Sequence, residues 1–212
     1  MKISVSFLSD KYNASILLDK INKTEADYIH VDVMDGIFVN NKNMLYEDAL
    51  KIKNYFKKNL DVHLMVYDIE KYINEFKNLK PKYITFHVEA TNNIMKYINL
   101  VKENNIKSGL SINPDTDVSK IEKYLPYIDL VLVMSVVPGK GGQVFEEKVI
   151  NKIKYIRKII DDNHYKCLIS VDGGINEKTA LLVKEAGVNI IVSGSYLHDN
   201  NINEKINYLK NI

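Results

Sequence analysis

His30, Asp32 and Met34 occupy every second position of the run "YIHVDVMDGIF" (residues 28–38), with a valine in each gap. In an extended chain that spacing puts all three on one face and Val31 and Val33 on the other. A run this rich in β-branched residues reads as a buried strand, where an imidazole and a carboxylate are costly unless paired or used. The run "LDVHLMV" (residues 60–66) repeats the device, with Asp61, His63 and Met65 on one face. A third apolar run ends in Asp172, directly before Gly173 and Gly174. His30, Asp32, His63 and Asp172 together form a mixed nitrogen and oxygen donor set. Such a set suits one divalent metal cation per subunit, Zn, Fe(II), Mn or Co.

A second kind of chemistry is written in glycine. "PGKGGQ" (residues 138–143), "DGGI" (172–175) and "SGS" (193–195) each follow an apolar run late in the chain. Glycine lets backbone N–H groups approach a phosphate closely, and the positive end of a following helix adds to the attraction. Of 29 basic residues only Arg157 is an arginine, so an anion site built on an arginine clamp is nearly excluded. A phosphate at one side and a cation near the centre imply a phosphorylated sugar. The C–H between a carbonyl and its neighbouring hydroxyl is acidified when both oxygens bind a divalent cation, an effect worth several kcal/mol. Two carboxylates could then take that proton from one face and return it to the other. That is epimerisation, and Asp32 and Asp172 are the natural pair.

These groups must be positioned by a scaffold. Short strand-like runs alternate with longer helical patterns from end to end, with no linker between them. The strands are expected over 3–8, 28–34, 60–66, 83–88, 107–112, 130–136, 168–172 and 189–192; stretches such as "DIEKYINEFKNL" and "FEEKVINKIKYIRKIIDDN" read as amphipathic helices. Eight βα units of about 26 residues each fit a (β/α)₈ TIM barrel near its short limit. An open doubly wound sheet would show weaker edge strands, and none stands out. The expectation is an α/β, single-domain (β/α)₈ barrel over residues 1–212, with chemistry at the C-terminal ends of the strands. That ring collects Ser6, Ser9, His30, Asp32, Asp35, His63, His87, Glu89, Asn113, Ser135, Asp172, Ser193 and Ser195, including three of the five histidines.

With 46% hydrophobic residues the chain can bury a full core. The formal charge of +2 suggests neither a nucleic-acid surface nor a polybasic membrane anchor. The one cysteine, Cys167, cannot form an intrachain disulfide, and its apolar setting reads as a buried structural thiol. No apolar run reaches the 18 or so residues that span a bilayer, and the chain opens on a strand rather than a leader. A cytoplasmic protein without nucleic-acid or membrane partners is expected.

Across nearly the whole length, "SVSFLS", "HVDVMDGIFV", "LDVHLMV", "FHVEA", "LVMSVVPGKGGQVF", "VDGGI" and "VSGSYL" occur in an order that resembles the ribulose-phosphate 3-epimerase family. The resemblance implies a barrel of the ribulose-phosphate-binding type. Its implied activity is metal-dependent interconversion of D-ribulose 5-phosphate and D-xylulose 5-phosphate at C3, through an enediolate, in the pentose phosphate pathway. It implies His30, Asp32, His63 and Asp172 as metal ligands, Asp32 as proton acceptor and Asp172 as donor. Substrate contacts are implied for Ser6 and His63. The phosphate and its approach fall to Gly139, Lys140, Gly141, Gly142, Gly173, Gly174, Gly194 and Ser195. Met34, Met65 and Met134 match a methionine layer under the reacting carbons; on their own they would read as barrel core. Family members are often oligomers, so a homo-oligomer is expected.

Departures from the family's pattern fall at Val5 and Asn40, where proline is usual, and at Lys140, where the glycine loop normally carries phenylalanine. The loss of a fixed φ at Asn40 should loosen the loop after the second strand. Lys140 should weaken closure of the lid over the substrate. Asp35 is expected to cap the turn at Gly36, Asp61 to support His63, and His87 and Glu89 to support the site rather than ligate. His164 should be solvated. Two rival readings share the mould: a 3-epimerase of a six-carbon ketose phosphate such as D-allulose 6-phosphate, and a disabled sugar-phosphate-binding barrel. The related decarboxylases and synthases need a lysine where Met34 stands, which argues against them.

Overall fold

The computed structural model describes residues 1–8 and 13–212; Ser9 lies outside them. Among the described residues nine strands run β1 (Lys2–Ser6), β2 (Tyr28–Asp35), β3 (Lys42–Asn43), β4 (Asn59–Met65), β5 (Tyr83–His87), β6 (Lys107–Ile112), β7 (Leu130–Met134), β8 (Leu168–Asp172) and β9 (Ile190–Ser193). Between them lie α1 (Ala14–Asn22), α2 (Tyr46–Ile52), α3 (Ile69–Phe76), α4 (Ile94–Glu103), α5 (Ser119–Glu122), α6 (Val149–Asp162), α7 (Glu177–Glu185) and α8 (Ile202–Asn211). All strands except β3 pair in parallel, and β1 closes the ring by bonding both β9 and β2. The result is the expected (β/α)₈ barrel. β3, too short to show periodicity, was not expected; it folds back antiparallel on the end of β2, opposite Met34 and Asp35.

Every residue of β2 is buried, because one face points into the barrel and the other under the helices. Ile29, Val31 and Val33 join the large apolar core between strands and helices. On α6, Val149, Ile153, Ile156 and Ile160 meet that core at helical spacing. Inside the barrel, Tyr28, Tyr83, Leu130 and Ile190 form an apolar layer, each from every second strand of the ring. Above it the interior turns polar, with Ser4, His30, Asp61, His63 and Thr85 all buried. The barrel therefore has a dry floor and a titratable upper half.

Cys167 is 2% exposed, and burial pushes its thiol up to about 12, so it is the inert structural thiol expected. His164 is exposed, as expected. Among the described residues no helix is long and apolar enough to cross a membrane.

Candidate active site and metal centre

Strand register brings the first two motifs together. β2 and β4 pair so that His30 lies beside Asp61, Asp32 beside His63 and Met34 beside Met65. The two strands carry the same residue types in opposite order, so each histidine faces a carboxylate on the neighbouring strand. His30 Nδ1 lies 2.8 Å from Asp61 Oδ2, and His63 Nδ1 lies 3.2 Å from Asp32 Oδ1. This corrects one expectation: Asp61 supports His30, not His63. Along one strand, positions two apart are separated by roughly 6.6 Å, whereas a neighbouring strand is about 4.8 Å away. Ser4 Oγ also donates to Asp61, at 2.9 Å.

β8 delivers Asp172 to the same place, 3.8 Å from His30 Nε2 and 3.9 Å from His63 Nδ1. One donor atom from each of His30, Asp32, His63 and Asp172 lies within 4.8 Å of the others. The set fits a divalent cation on a specific observation: His30 Nε2 is buried and has no hydrogen-bond partner among the described residues, though it lies 3.4 Å from Asp32 Oδ1. With its Nδ1 directed at Asp61, this nitrogen can present a lone pair toward the three other donors. A cation among them would satisfy all four at once.

The electrostatics separate the two central carboxylates. Burial opposes ionisation of Asp32, but the charge of His30, with His63 Nδ1 at 3.2 Å, outweighs it and holds the carboxyl well below its usual range. Burial, with the charges of Asp32 and Asp61, pushes Asp172 up to about 7 against the pull of His30. Burial also disfavours charge on His30, yet Asp61 and Asp32 raise it well above an ordinary imidazole. Burial lowers His63. Burial and neighbouring charge thus act in opposite directions on the two carboxyl groups.

A narrow cleft, about 60 Å³, opens above this cluster. Its wall includes Asp32, Asp172 and all the expected substrate-contact residues except His63. His63 is fully buried behind the wall, where it meets the cluster rather than the cleft. Met34, Met65 and Met134 reach the wall while staying 0–2% exposed. Gln143 also lines the cleft and was not expected; its Nε2 donates to Val137 O and Lys140 O, at 2.7 and 2.9 Å, tying the glycine loop to itself. Lys140 is exposed at the rim.

The turn after β8 is clamped from both sides. Ser135 Oγ donates to Gly173 O at 2.6 Å and Ser193 Oγ to Ile175 O at 3.1 Å. Gly174 has φ +62°, and a Cβ there would strike the backbone of Phe145. Gly174→Ala should therefore cost about 1–3 kcal/mol, lowering Tm by roughly 2–12 °C; a thermal melt checks it. β9 leads only into a three-residue turn of 3₁₀ helix, and the Asn176 side chain already caps the first N–H groups of α7. Any phosphate here would rest on the turn backbones themselves.

Around the loop after β2, Asp35 accepts from Ile37 N, Phe38 N and Tyr67 N, so it caps the turn as expected. Asn41 Nδ2 donates to Gly139 O at 2.7 Å, joining this loop to the glycine loop. His198 Nε2 lies 2.7 Å from Ser6 O, which places it behind the wall.

The Ribulose-phosphate 3 epimerase family profile matches residues 2–198. The chain belongs to the ribulose-phosphate 3-epimerase family, and is an isomerase. The ribulose-phosphate 3-epimerase of Bacillus subtilis (strain 168) is 39% identical over 200 residues, covering 93% of this chain and 92% of the relative. That of Buchnera aphidicola subsp. Acyrthosiphon pisum (strain APS) is 40% identical over 181 residues, covering 85% and 79%. A solved structure of 3-hexulose-6-phosphate synthase from Salmonella typhimurium superposes with a TM-score of 0.71 at 18% identity, covering 100% of this chain and 97% of that one. At that identity the likeness concerns the fold alone.

Proposed function

We propose that this member of the epimerase family interconverts D-ribulose 5-phosphate and D-xylulose 5-phosphate at C3 through an enediolate. The observation that supports the reading is the convergence of Asp32 from β2 and Asp172 from β8 on one cleft, beside the ring nitrogens of His30 and His63. His30, Asp32, His63 and Asp172 would hold the divalent cation, Zn, Fe(II), Mn or Co. Bound there, it supplies Lewis acidity to the substrate's oxygens, worth several kcal/mol.

The chain's own groups do the rest. Ser6 Oγ donates to Asp32 Oδ2 at 2.8 Å and so orients that carboxylate while leaving Oδ1 turned toward the histidines. Asp32 takes the C3 proton from one face and Asp172 delivers one to the other; the reverse reaction exchanges the roles. Positioned acid–base groups of this kind contribute about 10²–10⁴-fold. Met34, Met65 and Met134 give the reacting carbons an apolar bed that keeps water from protonating the intermediate. Gly173, Gly174, Gly194 and Ser195 offer backbone to the phosphate, and the loop Gly139–Gly142 covers the approach.

Conversion of ribulose 5-phosphate in D₂O, before and after chelation, tests this reading. Cation-dependent turnover with deuterium entering only at C3 supports it. Folded, metal-replete protein with no turnover would move the assignment to a six-carbon ketose phosphate, compared by kcat/KM. Failure on that sugar too would leave a binding protein.

Lys140 at the rim gives a smaller prediction. Lys140→Phe should bury an aromatic ring over the bound sugar and lower KM about two- to tenfold, roughly 0.4–1.4 kcal/mol. Unchanged kcat and KM in steady-state assays would remove lid closure as the role of this position.

A further inference from the structure

Two glycines in succession leave the peptide between them almost unconstrained, since no Cβ restricts either flanking residue. Gly173 and Gly174 are such a pair, at φ +120° and +62°, on the wall of the cleft. Neither position admits a side chain: a Cβ on Gly173 would strike the Val136 side chain, and one on Gly174 the backbone of Phe145. The orientation of the peptide between them is left to hydrogen bonding.

That bond comes from Ser135, which directly follows β7, is fully buried and lies behind the cleft wall. Its hydroxyl lies 2.6 Å from Gly173 O and 2.8 Å from Asp172 O. A carbonyl can only accept, so the hydroxyl is the donor in both contacts. Asp172 O also accepts from Ser135 N at 2.8 Å, which leaves the hydroxyl chiefly to Gly173 O. In a planar trans peptide the N–H points opposite to the C=O. With Gly173 O held toward Ser135, Gly174 N–H is turned away from it. Among the described residues that N–H donates to none.

Resting on the reading of these turns as the phosphate site, we propose that Ser135 is a positioning residue for the substrate's phosphate: it holds the Gly173–Gly174 peptide with its N–H facing the anion. In the flipped peptide the carbonyl oxygen would face the phosphate, replacing a donor by a partial negative charge. The other side chains on this turn act elsewhere. Thr179 Oγ1 donates to Gly174 O at 3.0 Å and Ser193 Oγ to Ile175 O at 3.1 Å, so both hold the two peptides that follow.

Ser135→Ala tests the assignment, with inorganic phosphate as the probe. In the full chain labelled with ¹⁵N-glycine, nine glycines give nine amide signals. Phosphate should shift the Gly174 signal in the wild type and leave it unmoved in Ser135→Ala. Phosphate should also bind the variant about 10–100-fold more weakly, the worth of a hydrogen bond to a charged group. Ser193→Ala removes a hydroxyl of the same size from the same turn but spares the Gly173–Gly174 peptide, so its phosphate affinity should match the wild type. In turnover, Ser135→Ala should raise KM far more than it lowers kcat, because Asp172 O keeps its bond from Ser135 N.

A Gly174 signal that still responds in folded Ser135→Ala, or an equal loss of affinity in Ser193→Ala, overturns the proposal. If Ser135→Ala does not fold, Ser135→Cys keeps the shape and exchanges a strong donor for a weak one. Weakened phosphate binding there supports the proposal, and wild-type affinity overturns it. A wild-type Gly174 amide that ignores phosphate, in a chain that epimerises ribulose 5-phosphate, overturns the proposal and leaves the reaction standing. Phosphate binding at Gly174 without epimerisation does the reverse.

Discussion

Replacing Asp172 by Asn is expected to lower kcat by about 10²–10⁴-fold, the contribution of a positioned acid–base group. Asn keeps the size and one oxygen of the side chain but has no proton to deliver. Asp172 stands at the last position of β8 with its side chain 17% exposed, open to the cleft where Asp32 is almost closed. With no cation bound, its carboxyl is pushed up to about 7, by burial first and then by Asp32 and Asp61. The variant should therefore fail at the second half of the reaction. In D₂O it is expected to exchange the C3 hydrogen of one epimer without forming the other, and Asp32→Asn to show the mirror pattern. Exchange followed by mass spectrometry, with cation content measured in parallel, separates loss of the acid from loss of a ligand. Wild-type conversion by Asp172→Asn would end the two-carboxylate mechanism.

Removing divalent cations is expected to stop turnover and lower thermal stability together. Among the described residues, the buried or nearly buried carboxyl groups of Asp32, Asp61 and Asp172 surround the His30 and His63 rings, and His30 Nε2 has no hydrogen-bond partner. A cation bound only by the folded chain adds about 2.7 kcal/mol at a hundred times its Kd. For a chain of this length that is a rise in Tm of roughly 5–11 °C. Melting curves after chelation and after return of Zn, Fe(II), Mn or Co check the sign, and the turnover restored by each ranks them. The shift should shrink in Asp32→Asn, which loses a ligand. Activity and Tm untouched by exhaustive chelation would contradict the donor set.

The alternation of polar and apolar residues in "YIHVDVMD" and "LDVHLMV" was enough to say which side chains enter the barrel, because a strand has a period of two wherever it lies. The number of such runs was enough for eight βα units, and the positions of Asp172 and the glycine turns at run ends were enough for the site's rim. What alternation does not contain is the stagger between strands. The pairing of His30 with Asp61, and not of Asp61 with His63, depends on the parallel register of β2 and β4, which closure of the barrel imposes. The same holds for the contact of His63 with His87, since neither strand's pattern says which nitrogen meets which. β3 and the Gln143 tie are likewise too local to leave a periodic trace. Sequence period chooses faces; the closed ring of hydrogen bonds chooses neighbours, and in this protein the neighbours decide which imidazole meets which carboxylate.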